Sequence, residues 1–346
     1  MHLRTRYRMC GVLAAVVTTV GACSHAAAQT PGFTEREVTF RNGSVELRGT
    51  LMLPATRSPS PAVVFLHGSG PHPRAGFRLY AEEFARMGIA SLFFDKRGSG
   101  ESGGSWITAS LEHLAGDTRA AIDRVKMEEG IDPERIGVWG VSQAGWVAPL
   151  VASRFKDIAF MILISGGGAS PRESELFSYQ QEFERAGLSA AEIARATDVL
   201  GAYFDYLATG ERRAELIARL DELRTGRLSP LAEQLDRILP SEDNRPNWSW
   251  VATYDPAPDI ESVTCPILLM FGDRDTEHPT GLAVERWREG LRKAGNDRVA
   301  LMVFPGAGHG IRMREGYSGG GRAPFADGYV EAQLGWLWRY VVAGTQ

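Results

Sequence analysis

Cysteine is scarce in this chain of 346 residues, which contains only Cys10, Cys23 and Cys265. Removal of an N-terminal leader would leave Cys265 alone, and a single thiol cannot form an intrachain disulfide. Cys265 precedes a proline at the start of a predicted strand, where a thiol is most often a buried structural group. The fold must therefore be stabilised by an apolar core, for which 44% hydrophobic residues are ample.

The chain also lacks patterns that several classes of function require. Its seven histidines show no metal-ligand spacing, and the glycines at 166–168 are not followed by the lysine and hydroxyl residue of a phosphate loop. Lysine and arginine total 38 against 42 acidic residues, and no basic patch indicates a nucleic-acid surface. We therefore expect no metal, no cofactor and no nucleic-acid partner.

No apolar run is long enough to cross a bilayer comfortably, but the N-terminus has the pattern of an export signal. Three early arginines precede an apolar stretch at 11–21, and the alanines at 26–28 offer a cleavage site. We interpret residues 1–28 as a signal peptide; the competing interpretation is a lipoprotein signal with a lipid anchor on Cys23. Cleavage after residue 28 would change the formal charge from −4 to −7. We expect a periplasmic or secreted protein, with no membrane insertion beyond that anchor.

Apolar segments alternate with helix-compatible stretches along most of the chain. The pattern begins with a predicted hairpin, in which segments 37–40 and 45–51 flank Asn42-Gly43. The later strands are separated by connections long enough for crossovers, so we expect a mostly parallel sheet with helices on both faces. The predicted strands are 62–66, 89–94, 136–141, 159–164, 266–271 and 299–304.

One connection is too long for a single crossover and has helical periodicity. Ser189 and Glu192 form a capping-box pattern, and a second helix is indicated at 216–223. We interpret the insertion as a helical cap over the active site. The predicted division is a signal peptide at 1–28, a core at 29–165 and 256–346, and the cap at 166–255.

Ser142 is the candidate nucleophile. It follows an apolar segment at a turn of small residues, and a helix-compatible stretch comes next. A serine at such a corner exposes its Oγ, with the positive end of the next helix pointing at it. Gly140 and Ala144 are small because larger side chains would collide across the corner, although Ala144 stands where the usual pattern has glycine.

A second serine fits the pattern Gly-x-Ser-x-Gly more strictly. Ser102 lies in the segment 100–104, but residues 97–99 separate it from the preceding strand, and no helix opens directly after it. We interpret the segment as a flexible loop, which leaves Ser102 as the alternative nucleophile.

An activated serine needs a base within hydrogen-bond reach, and the base needs a carboxylate that fixes its tautomer. Asp275 follows the predicted strand 266–271, and Asp273 is an alternative two residues away. His309 follows the strand 299–304 among three glycines, which let the backbone bend sharply. These residues are the candidate acid and base.

An oxyanion hole is expected after the strand 62–66, where small residues allow backbone N–H groups to approach a negative oxygen. We expect the donors to be the N–H groups of Gln143 and Ser69, with Gly70 a weaker candidate. His67, in the same loop, is interpreted as a structural residue.

Five segments between residues 62 and 310 carry a family resemblance: His67-Gly68-Ser69-Gly70-Pro71, 94–102, 140–146, Gly272-Asp273-Arg274-Asp275 and Gly308-His309-Gly310. The chain resembles secreted bacterial α/β-hydrolases of the esterase and dienelactone-hydrolase-like kind. The resemblance implies an α/β-hydrolase fold and a carboxylic-ester hydrolase without a cofactor. It also favours Asp275 over Asp273, since the family usually places its acid three residues after the glycine that ends the strand. We assign no catalytic role to the charged loop at 95–98.

Three functions are therefore considered. The leading hypothesis is a serine hydrolase that cleaves small-molecule carboxylic esters through an acyl-enzyme; the oligomeric state and the natural substrate stay open. A non-catalytic exported binding protein is one alternative. The other is an aminopeptidase or amidase on the same triad, which would need inward-facing carboxylates among Glu173, Glu175, Glu182 and Glu184. Trp248 and Trp250 are expected to pack in the core or cap rather than line the pocket.

Overall fold

The computed structural model describes residues 32–56, 59–314, 318 and 322–343. The predicted signal peptide, with Cys23, lies outside the described residues. The strands are β1 (Phe33–Asn42), β2 (Val45–Pro54), β3 (Ser60–Leu66), β4 (Ala90–Phe94), β5 (Ile131–Val141), β6 (Met161–Ile164), β7 (Ile267–Gly272) and β8 (Val299–Phe304).

These strands form one sheet in the order β1-β2-β4-β3-β5-β6-β7-β8. The predicted hairpin is β1–β2, where Asn42 pairs with Val45 and Gly43 takes the left-handed conformation that the turn needs. β2 also pairs antiparallel with β4, and the remaining neighbours are parallel. The expected mostly parallel sheet is confirmed, with strand ends shifted by a few residues.

Helices cover both faces of the sheet. They are α1 (Arg78–Arg86), α2 (Leu111–Lys126), α3 (Ala144–Phe155), α4 (Pro171–Arg185), α5 (Ala190–Thr209), α6 (Arg213–Leu223), α7 (Ser229–Ile238), α8 (Arg245–Trp248), α9 (Trp250–Thr253), α10 (Ala257–Ile260), α11 (Thr280–Lys293) and α12 (Tyr329–Leu337). Successive strand residues point to opposite faces, so Val64 joins one buried cluster while Val63 and Phe65 join the other. Helices α2, α3 and α11 pack on the first face, and α1 and α12 pack on the second.

Helices α4 to α9 lie between β6 and α10 and have an apolar cluster of their own, which includes Tyr203 and Leu220. The predicted capping box of Ser189 and Glu192 starts α5. The predicted bounds of the insertion, 166 and 255, stay a prediction. No helix in the described part of the chain is both long and apolar enough to cross a bilayer.

Cys265 differs from its predicted environment. It precedes β7 and is partly exposed rather than fully buried, although burial still raises the pKa of its thiol to about 12. A thiol with so high a pKa stays protonated at neutral pH and is a poor nucleophile.

Candidate active site

Ser142 occupies the corner between β5 and α3. Its φ angle is +58°, a left-handed conformation that is strained for a residue with a side chain. A Cβ on Gly140 would collide with the Cβ of Ala144, which is the steric reason that the sequence suggested for both small residues. Backbone strain at a partly exposed serine between a strand and a helix is typical of a nucleophile.

Asp275 and His309 are brought together from the ends of β7 and β8. His309 Nδ1 lies 2.8 Å from Asp275 Oδ2, and the Asp275 side chain is fully buried. The other carboxylate oxygen accepts hydrogen bonds from the N–H groups of Glu277 (2.8 Å) and His278 (2.9 Å). The carboxylate is therefore fixed in place and orients the imidazole above it.

The electrostatics of this pair favour an ionised aspartate. Burial alone would raise the pKa of Asp275, but the hydrogen bond from His309 and the backbone N–H groups outweigh it, so the pKa is lowered. Burial alone would lower the pKa of His309, but its bond to Asp275 outweighs that effect, so the pKa is raised. The imidazole is thus made a better proton acceptor.

The structure does not join Ser142 to His309. Among the described residues, the Ser142 hydroxyl has no hydrogen-bond partner. His309 Nε2 instead lies 3.7 Å from a carboxylate oxygen of Glu277, which is about half exposed and also pairs with Arg314 at 3.3 Å. Catalytic hydrogen bonds are often long before substrate binds, so His309 stays the candidate base for Ser142 although the two side chains are not hydrogen-bonded here.

The two rival residues have structural partners. Ser102 Oγ donates to the carbonyl of Asp95 at 2.7 Å and accepts from the N–H of Arg48 at 2.9 Å. Asp273 accepts from the N–H of Gly306 at 2.7 Å and makes no bond to His309. Both side chains support loops at the sheet edge, and neither is placed as nucleophile or acid.

The loop after β3 approaches Ser142 closely. A Cβ on Gly68 would lie 3.5 Å from the Cβ of Ser142. Among the described residues, neither the Ser69 N–H nor the Gln143 N–H donates a hydrogen bond. Both predicted donors are therefore available to an oxygen that forms beside Ser142.

Lys96 connects the two predicted donors. Its buried ammonium donates to the carbonyl of Gly68 and to the side-chain oxygen of Gln143, each at 2.7 Å. Burial lowers the pKa of Lys96 to about 7, although Asp117 opposes this shift. The Gly68–Ser69 peptide is planar and trans, so a donor held at its carbonyl also fixes the direction of the Ser69 N–H.

Two histidines stabilise the same loop. His67 is buried against the carbonyl of Phe94 at 2.6 Å, and burial lowers its pKa to about 3. His72 Nε2 lies 2.7 Å from the Ser69 carbonyl, and burial lowers its pKa as well. These contacts fit the structural interpretation of His67.

A cavity of about 180 Å³ lies between the sheet edge and helices α4 to α9. Ser69, Lys96 and Gln143 form its inner wall. Trp248 and Trp250 pack against the apolar cluster of these helices, as predicted, but they also line the cavity, which the sequence analysis did not expect. Their position makes them part of the binding site as well as of the cap.

A separate open cleft of about 960 Å³ lies beside His309. Its lining includes His72, Tyr80, Arg312 and Arg314. His309 also lines this cleft but is not among the residues that line the smaller cavity.

Two residues of the site were missed or left unspecified by the sequence. Lys96 is the second residue after β4, at the edge where sites of open α/β sheets form, and this position could have identified it. Glu175 was one of four glutamates proposed in the insertion, and of these it alone lines the cavity. Glu173 pairs with Arg286, and Glu184 accepts from Gln180.

Comparison with known proteins finds relatives of this chain. The quorum-quenching protein AidA of Acinetobacter baumannii (strain MDR-ZJ06) is 34% identical over 131 residues, 36% of this chain and 42% of that protein. Esterase EstD of Thermotoga maritima is 27% identical over 293 residues, 83% of this chain and 62% of that protein. The chain thus spans less than two thirds of the length of either relative.

The fold is shared with solved structures. The Pyrococcus furiosus esterase Pf2001 superimposes with a TM-score of 0.59 at 19% identity, covering 89% of this chain and 92% of that one. The sequence model of the alpha/beta hydrolase family matches residues 63–315, which is well over half of the chain. The chain therefore belongs to the alpha/beta hydrolase family.

Proposed function

We propose that this protein hydrolyses small-molecule carboxylic esters through an acyl-enzyme on Ser142. The observation that carries the proposal is the 2.8 Å hydrogen bond between His309 and the buried Asp275, at the sheet edge where Ser142 occupies a strained corner. An imidazole oriented by a carboxylate is the base that activates a serine hydroxyl, and we assign that serine as Ser142. The esterase named among the relatives supports the same reaction class.

In the first half-reaction, Ser142 Oγ attacks the ester carbonyl carbon and its proton passes to His309 Nε2. The carbonyl oxygen becomes an oxyanion, which accepts hydrogen bonds from the N–H groups of Ser69 and Gln143. When the tetrahedral intermediate collapses, the ester bond breaks and the alcohol leaves with the proton from His309. Asp275 stays ionised throughout and stabilises the imidazolium.

In the second half-reaction, water attacks the acyl carbon on Ser142 and gives a proton to His309. The second tetrahedral intermediate expels Ser142 Oγ, which recovers that proton, and the carboxylic acid is released. No other reactant is needed, because one water molecule supplies, in the overall balance, the hydroxyl group of the acid and the proton of the alcohol.

The test is hydrolysis of p-nitrophenyl acetate combined with labelling by a fluorophosphonate. Ser142→Ala should lower kcat by roughly a millionfold and abolish labelling, as in other enzymes with such triads. Ser102→Ala is the control, since its hydroxyl also lies at this edge but is bonded to Asp95. Labelled Ser102, or a fully active Ser142→Ala variant, would contradict the proposal. Faster cleavage of aminoacyl p-nitroanilides than of the esters would favour the amidase alternative.

We also propose that the protein is exported, on the basis of the N-terminal pattern alone. Mass spectrometry of the protein from its native host should find a chain that begins at Gln29 or at a lipidated Cys23. A chain that retains Met1 would contradict both forms of export.

A further inference from the structure

Glu175 is the one feature of the cavity that hydrolysis of a simple ester does not explain. It lies on α4 and lines the cavity together with Ser69 and Gln143. Among the described residues, its carboxylate has neither a hydrogen-bond partner nor an ion-pair partner. A carboxylate that lines a cavity and has no partner is available to pair with a positively charged ligand.

Glu175 is exposed and lines the cavity. Desolvation by the surrounding protein nevertheless raises the pKa of its carboxyl group. Tyr179 and Tyr203, which also line the cavity, are near enough for Glu175 to raise the pKa of each phenol further, after the larger effect of burial. The carboxylate is thus held against the aromatic part of the wall.

Aromatic side chains dominate the rest of this wall. The lining includes Trp106, Phe204, Trp248 and Trp250 in addition to the two tyrosines. The face of an aromatic ring carries partial negative charge, which attracts cations and repels anions. Rings around an unpaired carboxylate are the surroundings that proteins use to bind alkylammonium groups.

The charges nearby point to the same kind of ligand. The second contribution to the raised pKa of Glu175 is repulsion from Glu277, whose carboxylate lies 3.7 Å from His309 Nε2. The carboxylates of Glu175 and Glu277 therefore both contribute negative charge near the triad and the cavity. Lys96 is the only basic residue in the described lining, and its ammonium is bonded to the Gly68 carbonyl and to the Gln143 side-chain oxygen rather than to Glu175.

The size of the cavity limits the ligand. A volume of about 180 Å³ is below the 300–1,000 Å³ typical of pockets for drug-sized ligands, so it suits a small substituent. A long acyl chain would also cover Glu175 with hydrocarbon and leave the carboxylate unpaired, which is unfavourable.

We propose that the cavity binds a small organic cation, an alkylammonium group carried by the substrate, through Glu175 and the surrounding aromatic rings. The substrates of the proposed esterase are then esters with a positively charged nitrogen a few bonds from the cleaved carbonyl. This inference rests on the proposed function for its substrates but not for its binding site.

The first experiment compares two esters that differ only in charge. Acetylcholine and 3,3-dimethylbutyl acetate have the same shape, with nitrogen in one replaced by carbon in the other. The wild type should prefer the cationic ester by at least tenfold in kcat/KM, and Glu175→Gln should reduce that ratio by about tenfold. Glu182→Gln is the matched control, because Glu182 lies on the same face of α4, outside the cavity lining, and should keep the wild-type ratio.

The second experiment measures binding without turnover. Tetramethylammonium should quench tryptophan fluorescence of the Ser142→Ala variant, and adding Glu175→Gln should raise its Kd at least tenfold. If neither ester is cleaved but this Glu175-dependent binding is present, the proposed function fails and the cation site stands. Equal kcat/KM for the two esters, or binding of tetramethylammonium that Glu175→Gln does not change, overturns the inference.

Discussion

Lys96 allows a sharp test of how the oxyanion hole is organised. Replacing it with methionine keeps a straight apolar chain of similar length but removes both hydrogen bonds of 2.7 Å, to the Gly68 carbonyl and to the Gln143 side chain. Ser69 and Gln143 keep their N–H groups, so the donors remain but lose the group that aligns them. Loss of a whole donor costs about 10²–10³ in kcat, so misalignment should cost about 10- to 100-fold.

The effect should fall on kcat and leave KM within about threefold, because an oxyanion hole binds the transition state rather than the ground-state carbonyl. The pH profile supplies a second signature. With a pKa of about 7, Lys96 is charged below that pH and neutral above it. Neutral lysine can still donate both hydrogen bonds, but its charge no longer stabilises the oxyanion, so kcat should decline above pH 7 in the wild type and not in Lys96→Met.

The assay is steady-state hydrolysis of p-nitrophenyl acetate from pH 6 to 9, corrected for spontaneous hydrolysis. Lys156→Met is the control, since Lys156 is exposed at the end of α3 and loses the same charge. Thermal unfolding of each variant establishes that it is folded. The reasoning is refuted if folded Lys96→Met keeps more than half of the wild-type kcat. It is also refuted if the variant's KM rises while its kcat is unchanged.

Three further outcomes are expected. Ser102→Ala should lower the free energy of unfolding by about 1–3 kcal/mol in urea titrations while activity persists, because it leaves two buried backbone groups unpaired; unchanged stability would contradict this. Asp275→Asn should lower kcat by about 10⁴-fold by disturbing the imidazole tautomer, whereas Asp273→Asn should cost far less; the reverse ranking would move the acid. Burial lowers the pKa of His67 to about 3 and of His278 to about 4, so both are neutral in the fold but protonate near pH 6.5 when unfolded. Stability should therefore fall as pH drops below 6.5, by about 1.4 kcal/mol for each histidine at pH 5.5, and His278→Gln should remove about half of that loss.

The architecture was predictable because it depends on local patterns. Uninterrupted apolar segments separated by long connections predicted parallel strands, and the positions just after them predicted which residues meet at one edge. Ser142, Asp275 and His309 all follow such strands, and the structure brings the last two into contact. The contact between Ser142 and His309 stays a prediction, since the hydroxyl has no partner among the described residues.

The inward position of Lys96 was not predictable from these local patterns. The loop after β4 was assigned no catalytic role because a charged loop at this position was expected to support the strand ends. Arg97 fits that expectation, since it forms a buried pair with Asp117 at 2.6 Å that fixes the loop against α2. That anchor positions the neighbouring Lys96 to point inward, and a sequence does not specify which of two adjacent side chains the rest of the fold will cover.

The position of Glu175 in the cavity wall depends on how α4 packs. Residues of an α-helix advance by about 100° each, so Glu173 and Glu175 face nearly opposite sides of α4, while Glu175 and Glu182 share a side about 10 Å apart. Periodicity therefore divides the glutamates into two sets but does not say which set faces the site. That choice comes from packing: Glu173 caps the helix start and pairs with Arg286 on α11, which turns the opposite side of α4 toward the cavity. Of the two glutamates on that side, only Glu175 lines the cavity, so the packing of α4, and not its sequence periodicity, determines which carboxylate is placed there.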